Sequence, residues 1–150
     1  MTTTTRRVLA IRPDPALMKR LTGLFDPSRC EVESCAGNVE AVRRLRVRSA
    51  DVVITDESTT MDEDVALAAE LVSIRPALKV IALASFAGPG DVVEAIRANV
   101  FAVFTAPIDY AEVASMASSA VSAETWKDGI QVVSGLDHWL TLRVSCHLVT

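Results

Sequence analysis

Asp51-Val52-Val53-Ile54-Thr55-Asp56 is the stretch on which the reading of this chain turns. Residues of high β-propensity run between two aspartates, apolar on both faces, the pattern of a strand buried in the middle of a parallel sheet. Asp56 then falls at the carboxyl end of that strand, where open α/β sheets place their ligands and reaction sites. The polar, acidic run from Glu57 to Asp64 reads as a loop over that end.

Outward from this centre the chain alternates. Arg7–Ile11 reads as a first strand, and Asp14-Pro15 as the cap and first turn of a helix carrying Leu17, Leu21, Leu24 and Phe25 inward. Cys30–Cys35 reads as a second strand. A helix opened by Gly37-Asn38 follows, with Val39, Val42, Leu45 and the stem of Arg46 inward. Beyond the central strand, a third helix is predicted from about Asp64 to Ile74 with Val65, Ala68, Leu71 and Val72 inward. Lys79–Ala84 reads as the fourth strand. Gly88-Pro89-Gly90 makes a turn, Asp91 caps a short helix over Val92–Ala98, and Asn99 suits a left-handed residue after it. Phe101–Phe104 is the fifth strand. Ala106-Pro107 breaks the chain, and Asp109 with Glu112 opens a fifth helix through Val113, Met116, Ala117, Ala120 and Val121.

Five strands alternating with five helices predict an α/β fold: a three-layer, doubly wound parallel sheet of flavodoxin-like order 2-1-3-4-5. Residues 6–123 form this unit. Residues 124–150 are a linker and a β-hairpin, Gly129–Ser134 with Trp139–Cys146 across Gly135–His138, and read as the possible start of a following domain. A lone hairpin is marginal in water, so its apolar face needs the sheet, a second chain or another domain to pack on.

Composition narrows the function. Half of the 150 residues are apolar and the net charge is −4 with a pI near 5.1, so no global field recruits nucleic acid or an anionic membrane. Arg43, Arg44, Arg46 and Arg48 crowd one helix without interleaved aromatics and read as a solvated face. Cys30, Cys35 and Cys146 lack metal-type spacing and read as free thiols. Asp56, Glu57, Asp62, Glu63 and Asp64 lack the alternation of a calcium loop. The later acids fall where a helix start favours negative charge. No apolar run follows Met1–Arg7 as in a signal peptide, and none reaches the roughly 20 residues of a spanning helix. The expected location is cytoplasmic.

The chain from Arg7 to about Val121 resembles the receiver domain of bacterial response regulators. The residues that carry the likeness are Val8–Ile11 with Asp14–Leu17, Asp51–Asp56, Val80–Leu83, Asp91–Ala98 and Thr105-Ala106-Pro107, in order and at the family's spacings. The resemblance implies a two-component or phosphorelay module, not an enzyme, in which Asp56 holds the position that accepts a phosphoryl group from a sensor histidine kinase. The pocket around it would consist of Arg12, Pro13, Asp14, Glu57, Ala84, Ser85, Thr105, Ala106 and Pro107, with Ser85 and Thr105 as donors to phosphate oxygens. Receivers also supply an acidic pair for magnesium, a hydroxyl after the fourth strand and a lysine before the proline after the fifth. Arg12-Pro13, Ala84 and Ala106 stand at those positions, and Thr59-Thr60 stand where Met-Pro is usual.

The resemblance is therefore to a degenerate receiver, or pseudo-receiver, with no metal and no cofactor. Magnesium enters only in the alternative in which Asp56 is a working phosphoacceptor. A further alternative is a small-ligand module using the same crevice, weakened by the lack of a glycine-rich loop after Ile11. Arg12 is expected either to pair with Asp56 or Glu57 or to extend into solvent. By the same resemblance the fifth helix is a dimer and output face, its outer positions Ala111, Ala114, Ser115, Ser118 and Ser119 being small and uncharged. The expected partners are a kinase or other signalling protein and a second copy, with no nucleic acid and no membrane. The tail faintly resembles the opening strands of histidine-kinase-like ATPase domains of anti-sigma-factor serine kinases. His138 and His147 read as a turn residue and a strand residue.

Overall fold

Strand β3, Val52–Ile54, lies between β1, Arg6–Ile11, and β4, Lys79–Ala84, in a computed structural model of the chain. The structure describes residues 6–84, 93–95, 97–98 and 100–122, together with the backbone of 130–133 and 141–144. The sheet order is β2-β1-β3-β4-β5-β6-β7, with β2 at Cys30–Cys35, β5 at Val100–Thr105, β6 at Ile130–Val133 and β7 at Thr141–Val144. The first five strands are parallel in the predicted order 2-1-3-4-5. The segments expected as a hairpin do pair antiparallel. In addition β6 joins β5 in parallel through Ala102–Gln131, Val103–Val132 and Phe104–Val133, so the sheet continues into the tail.

Successive strand residues point to opposite faces. Because β1, β3, β4 and β5 are apolar at both parities, each face carries its own core. Leu9, Ile11, Val53, Val80, Ala82 and Val103 face helices α2 (Asn38–Val47) and α3 (Met61–Ile74). Val8, Ala10, Ile54, Ile81, Leu83 and Phe104 face α1 (Pro15–Leu24) and α5 (Tyr110–Ser122). Between β4 and β5, helical backbone at 93–95 and 97 is the described part of α4, and its Ala95 and Ala98 close the first core. Asp91, Asn99 and the Gly88–Gly90 turn lie outside the described residues, as do Ser85, Cys146, His138 and His147.

Capping explains most boundaries. Asp14 Oδ1 accepts from Ala16 N at 2.8 Å, with Pro15 in the first turn of α1. Asp109 Oδ1 accepts from Ala111 N at 2.9 Å and from Glu112 N at 3.4 Å at the start of α5.

Four sequence expectations are corrected. Helix α3 begins at Met61, not near Asp64, because Thr60 Oγ1 accepts from Glu63 N at 3.2 Å and so acts as the cap. Packing against the sheet turns Asp64 and Leu67 fully inward and leaves Val65 and Val72 half-buried. Leu24 and Val39 are exposed, and so is Arg46: both helices bury a narrower stripe than their apolar spacing suggested, centred on Leu17–Leu21 and Ala41–Leu45. Ala114, assigned to the outer face of α5, is buried, since α5 packs α1 along that side.

Candidate functional site

Asp56 stands two residues past the end of β3, at the carboxyl ends of the parallel strands, and is 6 % exposed. Its Oδ1 accepts from the Ser58 N–H and from the Ser58 hydroxyl, both at 2.9 Å. This Asx turn folds the loop back over the carboxylate. Arg12 approaches the other oxygen, with Nε 3.5 Å from Asp56 Oδ2. The Arg12 side chain is 63 % exposed. Exposure of that degree leaves a contribution of about 0.2–1 kcal/mol, well below the ~4 kcal/mol that Coulomb's law allows at 4 Å and an effective dielectric of 20.

Arg12 is held there by its backbone. Its φ of 43° is in the left-handed region, and its N–H donates to Cys35 O at 3.0 Å, which ties the turn after β1 to the end of β2. Left-handed backbone costs an L-residue other than glycine about 1–2 kcal/mol. The turn thus carries strain at the residue that touches Asp56.

The other predicted pocket residues are distributed unevenly. Ala84 is buried, so a methyl fills the place where receivers carry a hydroxyl. Thr105 is half-buried at the end of β5, and Ala106 and Pro107 are exposed beside it across a cis peptide bond. Pro13 and Asp14 line the start of α1, with Asp14 engaged as its cap. Glu57 does not pair with Arg12; its carboxylate accepts from the Tyr110 hydroxyl at 2.9 and 3.1 Å. Burial, together with the Glu57 bond and the charge of Asp14, pushes the Tyr110 phenol up to about 12.

Beneath Asp56 lies a side chain that the sequence placed at a helix start. Asp64 is fully buried. Its Oδ2 accepts from Thr55 Oγ1 at 3.1 Å, and Thr55 Oγ1 in turn accepts from the Leu83 N–H at 2.8 Å. Its Oδ1 lies 2.6 Å from Thr59 Oγ1, which also lies 2.7 Å from the Asp56 carbonyl oxygen. Desolvation raises Asp64 to about 7, against the lowering effect of the two threonine hydroxyls.

Ser58, Thr59, Asp64 and Tyr110 were thus missed as site residues. The Asp-x-Ser spacing of Asp56 and Ser58 carried a signal for the Asx turn, whereas Asp64 and Tyr110 are defined only by packing.

Magnesium demands near-octahedral oxygen ligation. Among the described residues the carboxylates at the strand ends are already engaged: Asp56 accepts from Ser58 and faces Arg12, Asp14 caps α1 and Glu57 holds Tyr110. This donor set does not fit the ion. Among the described residues no group of three or more His, Cys, Asp or Glu side chains is placed to hold a metal.

The remaining predicted features lie apart. At the opposite end of the strands Arg7 is buried between Glu33 and the carbonyls of Arg48 and Ser49, and Arg6 meets Asp51 at 3.2 Å. Arg44 pairs with Glu40 at 2.6 Å and Arg48 with Glu31 at 2.9 Å, while Arg43 and Arg46 point to solvent. Cys30 and Cys35 are buried free thiols, and burial pushes Cys30 up to about 11. On α5, Ala111, Ser115 and Ser119 are exposed and Ser118 is half-buried. Among the described residues no helix is long and apolar enough to cross a membrane.

No family model and no curated protein sequence matches the chain. Solved structures do. A response regulator from Thermotoga maritima superposes with a TM-score of 0.65 at 16 % identity, covering 80 % of this chain and 100 % of that one. A CheY-like receiver domain protein from Methanospirillum hungatei gives 0.65 at 17 %, covering 81 % and 97 %. The beryllofluoride-activated NtrC receiver domain gives 0.63 at 18 %, covering 80 % and 97 %. The chain has the flavodoxin-like fold found in response-regulator receiver domains.

Proposed function

We propose that this chain is a receiver-like signalling module of a bacterial two-component or phosphorelay system that works by protein–protein contact, without metal-dependent phosphorylation of Asp56. The observation that carries this reading is the state of Asp56: Ser58 donates to one carboxylate oxygen and the Arg12 guanidinium stands against the other. Arg12 supplies positive charge where receivers use magnesium and a lysine. It offers no open coordination position, and a cation entering the crevice meets its repulsion.

The module is read as cytoplasmic and non-enzymatic, binding no cofactor, and spanning residues 6–123 ahead of a tail that leads toward a following domain. Its partners on this reading are a sensor kinase or another signalling protein, with self-association through the exposed small residues of α5. The second reading, a working phosphoacceptor, is favoured by the place of Asp56 at the mouth of the sheet and by Thr105 at the end of β5, two strands along the same edge.

Titration of the 15N-labelled protein with beryllofluoride and magnesium separates the two. The proposal expects no saturable shifts at Asp56, Ser58 or Thr105. Saturable binding lost in Asp56→Asn overturns it in favour of the phosphoacceptor.

A further inference from the structure

Hydrogen-bond arithmetic beneath Asp56 requires one more proton than ionised carboxylates provide. Thr59 Oγ1 lies 2.7 Å from the Asp56 carbonyl oxygen and 2.6 Å from Asp64 Oδ1. A hydroxyl carries one proton, and a backbone carbonyl only accepts. If Asp64 were ionised, one of these two short O···O contacts would set lone pair against lone pair in a partly buried place. If Asp64 is protonated, its hydroxyl donates to Thr59 Oγ1, Thr59 donates to the Asp56 carbonyl, and both contacts become hydrogen bonds. The other oxygen keeps its bond from Thr55, whose own hydroxyl is oriented by the Leu83 N–H. Burial points the same way, because a carboxylate without a cationic partner in the interior is costly.

We propose that Asp64 is a neutral carboxylic acid in the folded protein and that release of its proton switches the conformation of the Asp56–Thr60 loop. Once ionised, Asp64 claims the Thr59 proton as the stronger acceptor, and the Asp56 carbonyl loses its bond from the Thr59 hydroxyl. Of the two Thr59 bonds to the Asp56 carbonyl, the N–H contact at 3.2 Å is then the one that remains, beside the Ser58 bonds to the carboxylate. The proton leaves to bulk water, and no covalent bond to a heavy atom changes.

Among the described residues the charged groups facing Asp64 are few. Asp56, with Arg12 beyond it, lies on the strand end, and Glu63 is its neighbour in α3; both acids oppose ionisation. Strand β4 presents the Leu83 N–H and apolar side chains, and the loop presents the hydroxyls of Thr55 and Thr59. No cation among the described residues forms an ion pair with it. An acid raised in the folded state contributes stability that is fully present below its ordinary value near 3.8 and is lost as the pH rises through about 7. The device therefore operates across neutrality and is independent of any phosphoryl chemistry at Asp56.

Carboxyl 13C NMR of the intact protein tests it. The Asp64 resonance is expected to titrate near neutral pH, with the amides of Ser58 and Thr59 shifting at the same midpoint. Asp64→Asn keeps both bonds, donating to Thr59 and accepting from Thr55, so it is expected to fold and to abolish the loop titration. Thr59→Val removes the contested hydroxyl and is expected to uncouple the loop while Asp64 still titrates. A midpoint at the ordinary aspartate value, or a neutral midpoint with no response at Ser58 and Thr59, overturns the proposal.

Discussion

Arg12 occupies a backbone position that most side chains avoid, at φ 43°, and places its guanidinium 3.5 Å from Asp56. Strain and ion pair are of similar size, about 1–2 kcal/mol for the former and below about 1 kcal/mol for the latter. Glycine relieves the strain and loses the pair. A β-branched residue loses the pair and worsens the strain. Arg12→Gly is therefore expected to exceed Arg12→Val in stability by about 1–2 kcal/mol, read from urea denaturation midpoints; equal stabilities would mean that the turn is not left-handed. Tyr110 is the second residue with a defined load. Ultraviolet titration of its phenol is expected to give a midpoint of about 12. Its folded value lies above the unfolded one near 10, so the contribution of the Glu57 bond persists below pH 10 and fades as the pH rises through 12. Tyr110→Phe is expected to cost about 1 kcal/mol at neutral pH and to remove the high-pH transition.

Helix α3 shows how a single cap lengthens an element and brings a further side chain onto its buried face. The Thr60 cap starts the helix at Met61, so that Asp64 falls within it, one turn before Ala68 on the face that meets the sheet. Thr60→Ala is expected to cost about 1 kcal/mol, measured by thermal or urea unfolding. Because the same cap sets the depth of Asp64, the substitution also lowers the Asp64 midpoint toward 3.8 as the first turn loosens and admits water. A stable variant with an unchanged Asp64 titration would show that packing of Met61 and Leu67, and not the cap, holds the helix start.

At the scale of the molecule, β5 is an uncharged strand, Val100-Phe101-Ala102-Val103-Phe104-Thr105, with β4 on one side and β6 on the other. Unpaired, such a strand is a template for pairing with another chain. A chain ending at Ser122 is expected to self-associate with concentration, read by light scattering, where the full chain does not associate through this edge. A truncated chain that matches the full one in mass and stability would show that the β5–β6 pairing adds nothing.

Much was legible before any tertiary information. The wound parallel sheet followed from five short strands alternating with helices, and the order 2-1-3-4-5 was the one of two common solutions that centres the third strand. Asp56 stood at a strand end by counting alone. The caps at Asp14 and Asp109 were readable because they are local hydrogen bonds between near neighbours in the chain. Which side of each helix is buried was less legible: Leu24, Val39 and Ala114 were misplaced because the rotation of a helix is set by its neighbours across the core and not by its own period.

What the residues by themselves determined is the wound sheet with an acidic side chain at its mouth, since alternation and capping act over a few residues. What only the tertiary structure decided is the surroundings of that side chain. The left-handed turn that brings Arg12 to Asp56, the Tyr110–Glu57 bond and the burial of Asp64 under Thr59 join residues from different elements. Such contacts depend on how the elements pack, and desolvation, the force that shifts Asp64, exists only once the chain has closed around it.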